Sequence, residues 1–478
     1  MALSSISPID GRYSSKTKAL SQYFSEYALI KYRVAVEINY LIELSQNGAV
    51  VRKFTEEEIK YLKNLTNLTE TDAQIVKDIE TKGYGDIPAT NHDVKAVEYY
   101  IKLKLKESSL ADVLEYVHLA LTSEDINNIC YGLMIKDAVN DLMFPEAVKL
   151  YEALYNIASD YKDTPTLART HGQPASPTTF GKEILVFVNR LKTEFAYLYN
   201  NKISVKLNGA TGGYNAHNFI KPEIDWINFT NIFINKFNTA KNSGNSRFYS
   251  SDPIIVVCNP ITTQIEPHDS FIRVFDSFRR INNILLDFSL DIWRYISDKW
   301  IKQKTVKGEI GSSAMPHKVN PIDFENAEAN IGVANALFDF FASKLPISRL
   351  QRDLSDSSVQ RNIGVAFAHT LVAYQSIQKG LSKIEIDKNK ILEDLENNPE
   401  VIAEAFQNLL RISGFDKPYE ALKEITRGKA VTIEDFRKFA NKIAIDENKR
   451  EKLLEITPSN YIGLSQKIVE NFDPKILR

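Results

Sequence analysis

Between residues 269 and 304 the chain runs DSFIRVFDSFRRINNILLDFSLDIWRYISDKWIKQK, with no Pro or Gly. Phe271, Val274, Phe278, Ile281, Leu285, Phe288, Ile292 and Tyr295 recur in alternating steps of three and four, the seam of one long helix. Ile272, Phe275, Ile284, Leu286, Leu290, Trp293 and Ile296 lie off that seam, so the helix is apolar around much of its circumference. Such a helix has to be enclosed, by helices of its own chain or by a partner subunit. A second long helix starts at Gly181, with Ile184, Val188, Leu191, Phe195 and Leu198 on its face. Segments 321–342 and 359–381 carry the same period.

Strand signals are scarce: residues 253–257, PIIVV, form the only clear run, and they also suit an extended loop edge. A polar excursion around 238–260, containing NTAKNSGNSRFYSSDP, predicts a mobile loop. No internal repeat is apparent. The pattern predicts a mainly α protein in three parts: a mixed helical domain at 1–112, a central bundle of long helices at 113–365 and a small helical domain at 366–478.

The chain's 478 residues favour more than one domain. Its 44% hydrophobic and 25% charged residues are those of an ordinary globular protein. Lys plus Arg (59) nearly balance Asp plus Glu (61), so no global field draws in nucleic acid or an anionic membrane. Two cysteines, Cys130 and Cys258, are too few for a disulfide framework and read as small buried hydrophobes. The start, MALSSISPIDGRY, lacks the features of a signal peptide, and no apolar run is long enough to span a bilayer, so a cytoplasmic location is expected.

Four of the seven histidines sit in short polar stretches that look more like sites than cores: TNHD (His92), RTHGQP (His171), EPHD (His268) and the His317 of GEIGSSAMPHKVNP. None shows the spacing of a metal site. Histidine exchanges protons near neutrality, so His171 is a candidate general acid or base. Ser312 and Ser313 are candidate nucleophiles or proton acceptors, but no Gly-x-Ser-x-Gly elbow surrounds them. A serine needs activation by a cation or backbone N–H groups; Lys318 is the nearest cation, and the helix after Pro321 adds its dipole. In RLQRDLSDSSVQR, residues 349–361, Arg349, Arg352 and Arg361 accompany Ser357 and Ser358 before a helix. That segment reads equally as an ion-paired helix cap, because Asp353 and Asp356 are interleaved, or as an anion clamp. Arg12 and Tyr13 suit the same clamp.

GSSAMPHKVNP resembles the signature loop of the fumarase and aspartase superfamily, whose members release fumarate from succinyl-type substrates. RTHGQPASPTTFGKE, TNHDVKAVEYY, LTSEDINN, TTQIEPHD and SPIDGRY extend the resemblance over essentially the whole chain, to the bacterial type of adenylosuccinate lyase family. The resemblance implies C–N cleavage by β-elimination, giving fumarate and AMP from adenylosuccinate, and fumarate again from the succinylated aminoimidazole carboxamide ribotide of purine biosynthesis. It implies His171 as the acid that protonates the leaving nitrogen and Ser312 as the base. Ser313, Lys318 and Asn320, helped by Thr122 and Ser123, would hold a carboxylate, with Val319 and Asn326 also among the substrate-binding residues. Asn91, His92, Asp93 and Gln264 match substrate-contacting positions; Arg12, Tyr13, Arg352, Ser357, Ser358 and Arg361 match those for nucleotide phosphate and ribose. No metal or organic cofactor is implied. The partners implied are small nucleotide substrates and three further copies of the chain, in a homotetramer with a shared helical core and sites each built by three chains. The excursion before TTQIEPHD is longer than the bacterial pattern. Another fumarate-releasing lyase, such as argininosuccinate lyase, and an inactive structural homologue are the competing readings; the phosphate-type clamp disfavours the first and the full set His171, Ser312, Lys318 and Asn320 the second.

Overall fold

In the computed structural model, residues 3–238, 247–304, 315, 317–426 and 431–476 are described. Helices dominate, and the longest, Asp269–Ser297, buries Phe271, Val274, Phe278, Ile281, Leu285, Phe288 and Ile292 along its seam. It packs against Ile322–Lys344 and Phe180–Tyr199, while Ile363–Ser382 lies between Ile322–Lys344 and Phe144–Asp160. Aromatic side chains lock the bundle: Phe275 stacks on Phe338 with centroids 5.6 Å apart, and Phe278 meets Phe367 edge-on at 5.2 Å. Leu290 and Trp293, on the same long helix, stay exposed.

That helix ends at Ser297, short of the expected 304. Lys299 takes a left-handed φ of 63°, which stops the helical ladder, and the buried Trp300 folds back onto Tyr295. Residues Ile301–Gln303 then become a strand, β5, antiparallel to β6 (Ile384–Ile386). Among the described residues, two further strand pairs exist. β1 (Pro165–Thr170) and β2 (Gln173–Thr179) form an antiparallel hairpin, and β3 (Lys202–Val205) runs parallel to β4 (Ile255–Cys258). Only β4 carries the continuous apolar run that announces a strand; the others are too short or too rich in Thr, Pro and charge.

Around the bundle, Glu26–Asn47 packs on Ser123–Ala138, Glu56–Leu65 and Asp93–Leu105 on the N-terminal side. Short helices from Lys388 onward form the C-terminal part, with Lys388–Glu396 against β1. The excursion expected to be mobile is anchored over its second half: Phe248 is buried against Tyr151, Arg247 pairs with Glu152 at 2.9 Å, and the Phe248 carbonyl accepts from Ile476 N–H. Residues 239–246 lie outside the described residues. Cys130 is buried as expected; Cys258, beside the chain's edge, is only half-buried.

Candidate active site

His171 and Gly172 are the two central residues of the β1–β2 hairpin, between the paired Thr170 and Gln173. Their φ angles are 54° and 74°, the positive pair that a two-residue turn needs to match strand twist, and glycine relieves one of them. His171 is therefore held at an exposed tip rather than in a loose loop. The hairpin leans on the C-terminal part, where Arg169 pairs with Asp394 at 2.8 Å. Among the described residues, no hydrogen bond or ion pair joins His171 to another candidate residue.

Asn91, His92 and Asp93 start the Asp93–Leu105 helix. His92 is its N-cap, and the ring Nδ1 accepts from Lys95 N–H at 3.3 Å. Its Nε2 faces Ser123 Oγ at 3.4 Å. Asn91 bends the chain into the cap with a φ of 49°. Asp93 is gripped by Arg33 at 2.6 Å and by Arg361 at 3.3 Å. Burial pushes its carboxyl up, but Arg33, the Val94 N–H and Arg361 together outweigh this and hold it below the usual carboxylate range.

Thr122 and Ser123 open the Ser123–Ala138 helix, and Asp125 fixes them. Its carboxylate accepts from the N–H groups of Thr122 (2.9 Å), Asn208 (3.0 Å) and Gly209 (3.2 Å). Lys206, fully buried, lies 3.1 Å from Asp125 and donates to the carbonyls of Gly209 and Gln264. One buried ion pair thus ties the Ser123 helix start to the Gln264 backbone. Gln264 in turn accepts from Arg352 at 3.4 Å, and Arg352 reaches Glu124 at 3.1 Å.

Of the clamp candidates, Arg361 is paired with Glu26 and Asp93, and Arg349 lies 3.8 Å from Asp353. Ser357 and Ser358 belong to the short helix Ser355–Gln360, which precedes Ile363–Ser382. The segment thus carries the ion pairs of the plainer expectation, but neither helix start has a side-chain cap. Tyr13 accepts from Asn326 Nδ2 at 3.1 Å, which brings two candidates together; that bond, burial opposing and Arg12 assisting, lowers the phenol's pKa. Lys318 and Val319 are exposed, with Val319 O bonded to Gln303, and Asn320 leads into the Ile322–Lys344 helix. Ser312 and Ser313 lie outside the described residues. His268 departs from its site-like reading: it is 1% exposed, wedged between the Leu345 carbonyl and the Gln360 amide.

Hydrogen bonds and ion pairs join His92 to Ser123, Asp93 to Arg361, Arg352 to Gln264 and Tyr13 to Asn326. A groove of about 610 Å³ is lined by Asp10, Ser14, Ser25 and Arg361 but by neither His92 nor Gln264, so it is not a complete site. Sequence reasoning missed Arg33, Glu124, Asp125 and Lys206. For Arg33 and Lys206 the signal was charge inside otherwise apolar runs, IKYRVAVEINYLIEL and KISVKL; Glu124 and Asp125 sit in the polar run LTSEDINN, where nothing set them apart.

Comparison with known proteins places this geometry. The lyase family model matches residues 11–335, and that of the adenylosuccinate lyase C-terminal region matches 348–462. The adenylosuccinate lyase of Haemophilus influenzae is 45% identical over 472 residues, 98% of each chain. That of Dictyostelium discoideum is 47% identical over 475 residues, 97% of each chain. Among solved structures, a fumarate lyase from Mesorhizobium sp. BNC1 superposes with a TM-score of 0.71 at 16% identity, covering 95% of this chain and 97% of that one. The 3-carboxy-cis,cis-muconate lactonizing enzyme of Pseudomonas putida gives 0.70 at 17%, covering 96% and 97%. These two likenesses carry the fold alone. Near-full-length identity, together with both family models, shows that the chain belongs to the adenylosuccinate lyase family of the fumarase and aspartase superfamily.

Proposed function

We propose that the protein cleaves the C–N bond of adenylosuccinate, releasing fumarate and AMP, and acts likewise on the succinylated carboxamide ribotide. The observation that carries this reading is the 45% identity to adenylosuccinate lyases across 98% of both chains. Ser312 removes a proton from the succinyl carbon next to a carboxylate, the electron pair forms the fumarate double bond, and the C–N bond breaks. His171 gives its proton to the departing nitrogen. Extra negative charge builds on the carboxylate during proton removal, and Lys318, Ser313, Asn320, Thr122 and Ser123 are its proposed donors. Asn91, His92, Asp93 and Gln264 contact the substrate; Arg12, Tyr13, Arg352, Ser357, Ser358 and Arg361 hold phosphate and ribose, with Val319 and Asn326 at the margin.

The same reading makes the protein a cytoplasmic homotetramer with sites shared between chains, divided at 1–112, 113–365 and 366–478. Two features support sharing. His171 stands at an exposed hairpin tip with no bond to another candidate among the described residues, and the long helices leave Leu290, Trp293, Val333 and Phe340 exposed, as an enclosing partner would need. Among the described residues, no helix is long and apolar enough to cross a membrane. The test is a fumarate-release assay with adenylosuccinate and, separately, argininosuccinate. Turnover of the first alone is expected; turnover of the second, or of neither, would overturn the proposal.

A further inference from the structure

Beneath the proposed substrate-binding residues lies a buried ionic cluster whose carboxylates none of those roles uses. Glu124 follows Ser123 in its helix and is 2% exposed; Asp356, His268 and Gln360 close around it, all buried. Donor atoms of Glu124, His268 and Asp356 lie within 4.8 Å of one another. The cation of this cluster is Arg352, with one guanidinium nitrogen 3.1 Å from Glu124 Oε2 and another 3.4 Å from Gln264 Oε1. Arg352 thus spans from a buried carboxylate to a residue of the proposed substrate face.

The cluster's charge does not balance as it stands. Burial lowers the His268 pKa and keeps the ring neutral, with Nδ1 3.2 Å from the Leu345 carbonyl and Nε2 2.7 Å from the Gln360 amide. The neighbouring Asp125 and Lys206 pair with each other and cancel, and Asp269 faces His268 from the start of the long helix. That leaves one guanidinium against two buried carboxylates. Glu124 Oε1 and Asp356 Oδ2 are both buried without a hydrogen-bond partner. An unbalanced buried charge is strongly unfavourable, and two carboxylates in one dry site relieve it by keeping a proton.

We infer that Glu124 holds a proton beside the buried Asp356 and, by its grip on Arg352, acts as a positioning residue that couples the binding of an anionic substrate to that proton. This rests on reading Arg352 as a substrate-binding residue. An anion drawn to Arg352 competes with Glu124 for the guanidinium, so Glu124 must keep its proton, or take one from solvent if it has been lost. Burial pushes Glu124 up to about 7, with Arg352 opposing and Asp356 adding to the rise, which brings the event within reach of neutral pH.

The experiment measures KM and kcat for adenylosuccinate from about pH 7.5 to 9, above the second phosphate ionisation near ~6. The wild-type KM is expected to climb toward about tenfold per pH unit, with kcat changing less. Glu124→Gln, a neutral isostere, is expected to give a flat KM over the same window, and Glu124→Met, equally free of the titrating group, serves as the second variant should Glu124→Gln not assemble. A flat wild-type KM, or an unchanged slope in the soluble variant, would overturn the inference. Arg352→Met separates the two levels. If its KM matches wild type, the reading of Arg352 is wrong; if KM rises while the Glu124→Gln slope persists, only the proton coupling is wrong.

Discussion

Two arginines, Arg33 and Arg361, converge on the single carboxylate of Asp93, and one lysine, Lys206, serves Asp125 and two carbonyls at once. Buried charge of this kind orients backbone and side chains, since a lost partner leaves a costly orphan. Much of the candidate chemistry was legible in the sequence because polar runs with Gly and Pro stand out between apolar seams. Arg33 and Lys206 were not, because a charge within a helical or strand run reads as a solvated face until packing shows otherwise. Glu266 gives a residue-scale test. Burial raises it to about 8 from 4.5, the Asn259 bond opposing and Asp269 assisting. The folded state therefore binds a proton that the unfolded chain has released, so this contribution is full below pH 4.5 and lost as pH rises through about 8. Glu266→Gln is expected to flatten the fall in thermal midpoint across that window; an identical pH profile would contradict the assignment.

The β1–β2 hairpin shows what element-level patterning hid. PTLARTHGQPASPTT has no apolar alternation, yet its two-residue turn fixes the position of His171 better than a loop would. The long helices were legible because their seams repeat over many turns, whereas their ends depend on contacts distant in sequence, such as Trp300 folding onto Tyr295. Gly181 illustrates the same dependence. A Cβ there would lie 2.2 Å from the Ala158 carbonyl oxygen and 2.6 Å from Lys162 Cα, where the Phe180–Tyr199 helix starts against the end of Phe144–Asp160. At Gly172 a Cβ meets nothing within 4 Å, and only the positive φ opposes it. Gly181→Ala is accordingly expected to destabilise by about 1–3 kcal/mol or more through overpacking. Gly172→Ala should cost ~1 kcal/mol and act mainly on turnover through His171. Paired thermal melts and kcat values check both; equal melting losses would contradict this account of Gly181.

At the scale of the whole molecule, the all-round apolar character of the Asp269–Ser297 helix is only partly used within one chain. Phe275 and Ile284 are buried, while Leu290 and Trp293 face outward. His171, at its exposed hairpin tip, follows the same logic. The most direct measurement is fumarate release from adenylosuccinate after mixing His171→Ala and Ser312→Ala proteins under conditions that exchange subunits. Each variant alone is expected to lose at least ~100-fold in turnover. If His171 and Ser312 of one site come from different chains, random assortment leaves about a quarter of the sites with both groups intact, and activity returns to about that fraction of wild type. Demonstrated hybrids with no recovered activity would contradict the shared site.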